Sequence, residues 1–268
     1  GEVDQFEACM KTMEKGVKEF IAGKPLSVKI HEMQHPDVLL WTTWCIQQYG
    51  KMVSMEKCIE KYATLLKEIM DYLMAEKHPN LKVRDNGLLY AEGKDAAITW
   101  MNSTANGRPI VPRSGYIVEF NALWYNALKF AEEISATGAW KKSPNYADYA
   151  EKVEYSFKEV FLNEHGYLFD YVDETNTSPD WSVRPNMIFA IAFDYSPLNL
   201  SEKKRVFDIC TKELLTPKGL RSLSPKSGGY NPMYVGPQIQ RDYAYHQGTA
   251  WPWLGGFYME ACLRLYKP

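Results

Sequence analysis

Cysteine pairs, an excess of positive charge and long apolar runs are what this chain lacks. Its five cysteines, Cys9, Cys45, Cys58, Cys210 and Cys262, are odd in number, widely spread and free of any Cys-x-x-Cys pair. That excludes a disulfide framework and a cysteine zinc site, and implies buried thiols in a reducing, cytoplasmic compartment. His31, His35, His78 and His165 show no metal-ligand spacing, so neither a metal nor a cofactor is expected. Lys and Arg total 31 against 33 Asp and Glu, a formal net charge of −2, which offers nothing to nucleic acid or an anionic membrane. No apolar run reaches the ~18 residues of a membrane span, and the N-terminus lacks a signal pattern. No repeat of about 20–50 residues is present, which disfavours a solenoid.

What is abundant is aromatic side chain, 14% of the 268 residues, with 8 Trp and 18 Tyr. A large core accounts for many of these rings. Trp and Tyr also offer flat apolar faces with a polar edge, which suits stacking against sugars. Helical periodicity runs from end to end. Met10, Met13, Val17, Phe20 and Ile21 share one face of a first helix. A second spans Asp37 to Tyr49 with Asp37 able to cap it, and a third starts at Ser54. A long polar stretch from Lys77 to Gly115 carries turn pairs such as Asn106-Gly107. Helices are expected to resume at Ile117–Ala136, Asn145–Phe161, Asn186–Phe193, Ser201–Leu215 and Tyr245–Tyr266, with a Gly- and Pro-rich loop between Pro217 and Gly248. About eight helices in one all-α domain over 1–268 suit a helical barrel whose loops gather over one mouth.

Three segments concentrate aromatic, carboxylate, amide and guanidinium groups: Ala97–Glu119, Trp181–Asn186 and Gln240–Trp253. Within them, "AITWMN", "GRPIVPRSGYIVEFNALWYNAL", "RPNMIFAIAF" and "RDYAYHQGTAWPW" follow one another in order, with "GLRSLSP" before the last. This series resembles the motifs of the glycogen debranching enzyme C-terminal domain, the amylo-alpha-1,6-glucosidase family. The resemblance runs from about Asp37 to Leu263. It implies an (α/α)6 barrel of the six-hairpin glycosidase type and hydrolysis of α-1,6-linked glucosyl stubs in glycogen or related α-glucans. It also implies an inverting mechanism with two carboxylates on opposite faces of the scissile bond.

The same resemblance implies a sugar pocket built from Trp100, Arg113, Glu119, Asn121, Trp124, Arg184, Asn186, Arg241, Asp242, Tyr245, His246, Gln247 and Trp251. Each has an alternative reading. Glu119 suits a first-turn carboxylate, Arg241 and Asp242 suit a surface ion pair, and either Trp124 or Tyr125 belongs in the core. Trp251 and Trp253 are expected to divide between wall and core. The family's Thr-Trp-Met-Asp, whose Asp is the general acid, becomes Thr99-Trp100-Met101-Asn102 here, and an amide supplies no proton at ordinary pH. Asp95, beside Gly93 and Lys94, is a solvated loop charge rather than a substitute. The family's base glutamate falls beyond the equivalent of Tyr266, and its entry motif before residue 1. The chain is therefore expected to be a partial barrel, as a fragment or as a degenerate relative. Two functions stay open: an impaired glycoside hydrolase, and a non-catalytic α-glucan-binding or scaffolding module. A helical-barrel glycosidase or phosphorylase of other specificity is a third.

Overall fold

The computed structural model describes residues 1–30, 32–93, 95–174 and 179–267. His31 and Lys94 lie outside the described residues. Three long helices open the chain: α1 (Glu2–Ile21), α2 (Pro36–Met52) and α3 (Met55–Met74). Ser54 starts α3 as its sequence suggests, its Oγ accepting from Lys57 N at 3.2 Å. Asp37 does not cap α2. His35 holds the N-cap position, Pro36 takes the first helical position where a missing N–H costs nothing, and Asp37 lies inside the first turn.

The polar stretch after α3 is less irregular than its composition predicts. It folds into β1 (Leu81–Val83), β2 (Leu89–Ala91), β3 (Thr104–Ala105), β4 (Arg108–Pro109) and β5 (Gly115–Ile117). β3 and β4 form a hairpin closed by Asn106 and Gly107, both with positive φ, as a two-residue turn of this hand requires. With β6 (Tyr171–Val172), strands β1, β2 and β5 make a four-stranded antiparallel sheet in the order β1-β2-β5-β6.

The centre of the fold is α4 (Val118–Ala136), whose buried residues cover every side. A helix apolar all round belongs in the middle of a core, and α4 packs against α2, α3 and α5 (Tyr146–Phe161). The expected helix at 186–193 is a 3-10 turn, Pro185–Ile188, running into the short α6 (Phe189–Ala192). α7 (Leu200–Leu214) begins with a capping box in which Asn199 and Glu202 satisfy each other's backbone N–H groups.

The last third departs most from expectation. The loop between Pro217 and Gly248 contains β8 (Gly219–Arg221) and a helix, α8 (Gln238–Tyr245). The final helix, α9 (Leu254–Tyr266), starts well after Tyr245. Between α8 and α9, β9 (Ala250–Trp251) joins β8 and β7 (Leu215–Thr216) in a three-stranded sheet. Among the described residues, no helix is long and apolar enough to cross a membrane.

Candidate functional site

A cavity of about 630 Å³ opens where α1, the start of α2, the loop before β3 and the turn between α8 and α9 meet. That volume suits a small organic ligand. Phe6, Met10 and Met13 of α1 and Trp41 of α2 supply an apolar wall, and Trp100, Tyr245, His246, Trp251 and Trp253 form a ring-lined one. Polar groups are few: Glu32, His35, Asp37, Thr42, Thr99 and Asn102.

The rings hold one another at fixed angles. Trp100 meets His246 and Trp253 edge-to-face, at centroid distances of 5.2 and 5.1 Å. His246 stacks on Trp251 at 5.8 Å, and Tyr245 meets Trp251 edge-to-face at 4.7 Å. Such contacts add about 0.5–1.5 kcal/mol per pair beyond area burial, so the wall is preformed. Polar edges are anchored too: Trp100 Nε1 donates to Asn186 Oδ1 at 2.7 Å, and Trp251 Nε1 to Tyr245 O at 3.0 Å. Gly248, at φ +144°, lets the chain turn between His246 and β9; a Cβ there would meet the Tyr230 ring at 2.8 Å.

Behind the wall lies a saturated polar network. Arg113, 1% exposed, pairs both ends of its guanidinium with Glu119 and donates from Nε to Asp170 Oδ2 at 2.7 Å. Asp170 also accepts from Asn186 Nδ2 at 2.8 Å. Arg184 donates to the carbonyls of Ser222 and His246, at 3.1 and 2.8 Å, and to Gln247 Oε1 at 2.7 Å. Burial alone would favour a neutral guanidine at Arg113, but Asp170 and Glu119 hold its pKa above the ordinary value. Burial pushes Glu119 up against the opposing pull of Arg113.

Trp100, Arg184 and His246, from three separated segments, are therefore brought together. Trp100, Asn102, Tyr245, His246 and Trp251 line the cavity; Trp253 lines it as well instead of joining the core. Arg113, Glu119, Arg184, Asn186 and Gln247 stand behind these residues as supports. Asn121 clamps β2 through Leu89 N and O, at 2.7 and 3.0 Å. Trp124 and Tyr125 are both buried away from the cavity, bonding Gly87 O and Glu154. Arg241 and Asp242 do not make an ion pair among the described residues; each side chain bonds Gln238, which lies one helical turn away from both. Asp242 O also accepts from Ser103 Oγ at 2.8 Å, tying α8 to the loop before the β3–β4 hairpin.

Sequence reasoning passed over Asp170, Glu32 and the cavity-facing role of Asp37. Asp170 sits in the apolar run Tyr167-Leu168-Phe169-Asp170-Tyr171, and a carboxylate in such a run demands a buried partner. Glu32 carries a positive φ of 62°, accepts a long 3.4 Å bond from Asn102 Nδ2 and lies 3.6 Å from His35 Nδ1. Asp37 is 9% exposed, and burial, reinforced by the charge of Glu119, pushes its carboxyl up to about 7. Burial, with Arg184 and Arg113 behind it, pushes His246 down to about 3, so its ring is neutral at ordinary pH. Its Nδ1 has no hydrogen-bond partner among the described residues.

The comparisons with known proteins follow this geometry. The profile of a family described as amylo-alpha-1,6-glucosidase matches residues 30–268. The glycogen debranching enzyme of Saccharomyces cerevisiae is 25% identical over 238 residues, which is 72% of this chain and 15% of that protein. The chain thus spans a small part of that curated relative's length. An uncharacterized conserved protein from Thermus thermophilus has a crystal structure that superposes with a TM-score of 0.58 at 13% identity. That match covers 85% of this chain and 65% of the other, and it speaks to the fold alone. With the family profile spanning nearly all of it, the chain belongs to the amylo-alpha-1,6-glucosidase family and has the helical fold of the six-hairpin glycosidase type.

Proposed function

We propose that the cavity receives a glucosyl unit of an α-glucan and that the protein hydrolyses α-1,6-linked branch stubs by an inverting two-carboxylate mechanism. The observation that carries this reading is the meeting of four sequence-distant segments, 6–13, 32–45, 99–102 and 245–253, around one cavity of about 630 Å³, with ring walls and few polar groups. A pyranose has the same character, with apolar C–H faces that stack on rings and hydroxyls that take a few directed hydrogen bonds. Trp100, Tyr245, His246, Trp251 and Trp253 are the stacking and edge surfaces, and Asn102 and Asp37 reach hydroxyls. Arg113, Glu119, Arg184, Asn186 and Gln247 act through the positions of those groups, Asn121 and Trp124 through the packing of α4 on the strands, and Arg241 and Asp242 through α8. The setting is cytoplasmic glycogen catabolism.

A second reading is favoured by one residue. Asn102 occupies the family's acid position and donates no proton, which suits a glucan-binding or scaffolding module. Incubating the full-length protein with a branched limit dextrin separates the two. Glucose release is the expected result, and its absence from folded protein that still binds the dextrin overturns hydrolysis in favour of binding. Asn102→Asp sharpens the choice: it raises the rate of an impaired enzyme and leaves a pure binding module silent.

A further inference from the structure

A branch stub is one glucosyl unit on a longer chain, so most of the molecule that carries it lies outside the cavity. The rings of the cavity wall continue outward. Trp251 meets Tyr245 at a centroid distance of 4.7 Å, and Tyr245 meets Tyr234 at 5.5 Å with the two planes tilted by 42°. Trp251 and Tyr245 line the cavity, whereas Tyr234 is 43% exposed, so the series runs from the pocket to the surface. Tyr234 sits between Met233 and Val235, 63% and 57% exposed, in the loop that leads into α8. Three consecutive apolar residues facing water add nothing to the core, and such a run on a surface is kept for binding. The loop is also held in place. Pro232 and Pro237 fix φ on either side of it, and Asn231 N donates to Gln247 O at 2.6 Å. Arg241 of α8 places its guanidinium 5.9 Å from the centre of the Tyr234 ring. α8 in turn is tied to the cavity rim by Ser103 Oγ, next to Asn102. A ring surface fixed before binding loses little conformational entropy when a ligand covers it.

We propose that Tyr234, with Met233 and Val235 beside it, is an outer platform for the α-glucan chain from which the stub branches. This rests on the saccharide reading of the cavity above. A glucose residue of the chain lays its C–H face on the Tyr234 ring, while the stub reaches past Tyr245 to Trp100 and Trp251. Beside the ring, Arg241 and the Gln238 that it bonds offer donors and an acceptor for sugar hydroxyls. Continuity favours a saccharide over a partner protein, because one ring, Tyr245, belongs to both the cavity and the platform. Chain length then sets affinity: a disaccharide places its second sugar near Tyr245 and leaves Tyr234 bare.

Calorimetric titration of the full-length protein with two ligands tests it: isomaltose, and maltoheptaose carrying an α-1,6-glucosyl stub. Wild type binds the branched dextrin more tightly than isomaltose. Tyr234→Ala weakens dextrin binding about tenfold, the equivalent of about 1.4 kcal/mol, and leaves isomaltose within about twofold of wild type. Tyr234→Phe, which keeps the ring, binds both ligands as wild type does. An equal loss on both ligands makes Tyr234 a support for Tyr245 alone, and no loss on either is what a docking surface for another protein gives. Each of these overturns the platform and leaves the cavity reading standing, as does a wild type that binds the two ligands equally. A wild type that binds neither removes that reading and the platform together. Should Tyr234→Ala fail to fold, the carbon-13 methyl signal of wild-type Met233 decides. It shifts with the dextrin and not with isomaltose; a signal unmoved by saturating dextrin, or moved equally by both, overturns the platform.

Discussion

The two polar regions of the molecule are built on opposite principles. Around Arg113, Glu119, Asp170, Asn186 and Arg184, buried charge meets buried charge through many short hydrogen bonds. A few ångströms forward, on the cavity wall, Asp37 and His246 are almost as buried, yet His246 Nδ1 has no partner among the described residues and Asp37 is driven toward neutrality. The first region is rigid because every group is satisfied. The second leaves the ring nitrogen His246 Nδ1 without a partner among the described residues, and that unmet hydrogen bond is one a hydroxylated ligand can supply. Saturation behind the wall is what lets the wall stay hungry without collapsing.

Breaking the saturated side has the largest effect. Arg113→Ala strands Glu119 and Asp170 as buried carboxylates, and chemical denaturation should show a loss of about 3–5 kcal/mol. Restoring charge neutrality with Arg113→Met plus Glu119→Gln should recover part of it.

On the unsatisfied side the signature is pH. The folded pKa of Asp37 is raised from 3.8 to about 7, so its contribution to stability is fully present below the ordinary carboxylate value and is lost as pH rises through about 7. His246 is a base whose folded pKa is depressed to about 3, so its contribution is present above 6.5 and lost as pH falls from there toward 3. His78, pushed by burial down to about 4, adds to the acid-side loss. The two slopes oppose each other, each bounded at about 1.4 kcal/mol per pH unit. Asp37→Asn should therefore gain stability over wild type progressively between about pH 4 and 7, and His246→Gln should gain it as pH falls from about 6.5. Melting curves across that range check both, and parallel curves for variant and wild type contradict the assignment.

Smaller effects probe how the wall is held. Ser103→Ala removes the tether to Asp242 O and should cost about 1 kcal/mol, loosening α8 before the rest of the fold in hydrogen exchange. Arg241→Ala, which loses one bond to Gln238, should stay within about 0.5 kcal/mol of wild type in the same denaturation assay.

What was legible in the sequence follows the range of the forces involved. α1, α3, α4 and α5 could be read because periodic burial and caps such as Ser54 are local signals. α8 was hidden because Ala244 alone is buried along it, leaving no stripe to detect among Gly, Pro and Tyr. Trp100, Asn102, Tyr245, His246 and Trp251 could be gathered into one site through motif order, and the structure brings them to one cavity. Asp37 read as a cap, since an acid before a periodic run usually is one. The shift at Asp37 owes part of its size to the charge of Glu119 on α4, far along the chain, and no local pattern reports that. Asp170 was missed for the same reason: its partners Arg113 and Asn186 come from either side of it in sequence.

The most direct test of the ring-walled cavity is tryptophan-fluorescence titration with an α-1,6-linked gluco-oligosaccharide, comparing wild type with Trp100→Ala, Trp251→Ala and the distant Trp181→Ala. The account predicts saturable binding that each of the first two substitutions weakens by at least about tenfold, the equivalent of about 1.4 kcal/mol, while Trp181→Ala binds as wild type. Undiminished affinity in both Trp100→Ala and Trp251→Ala would place the saccharide elsewhere and contradict it.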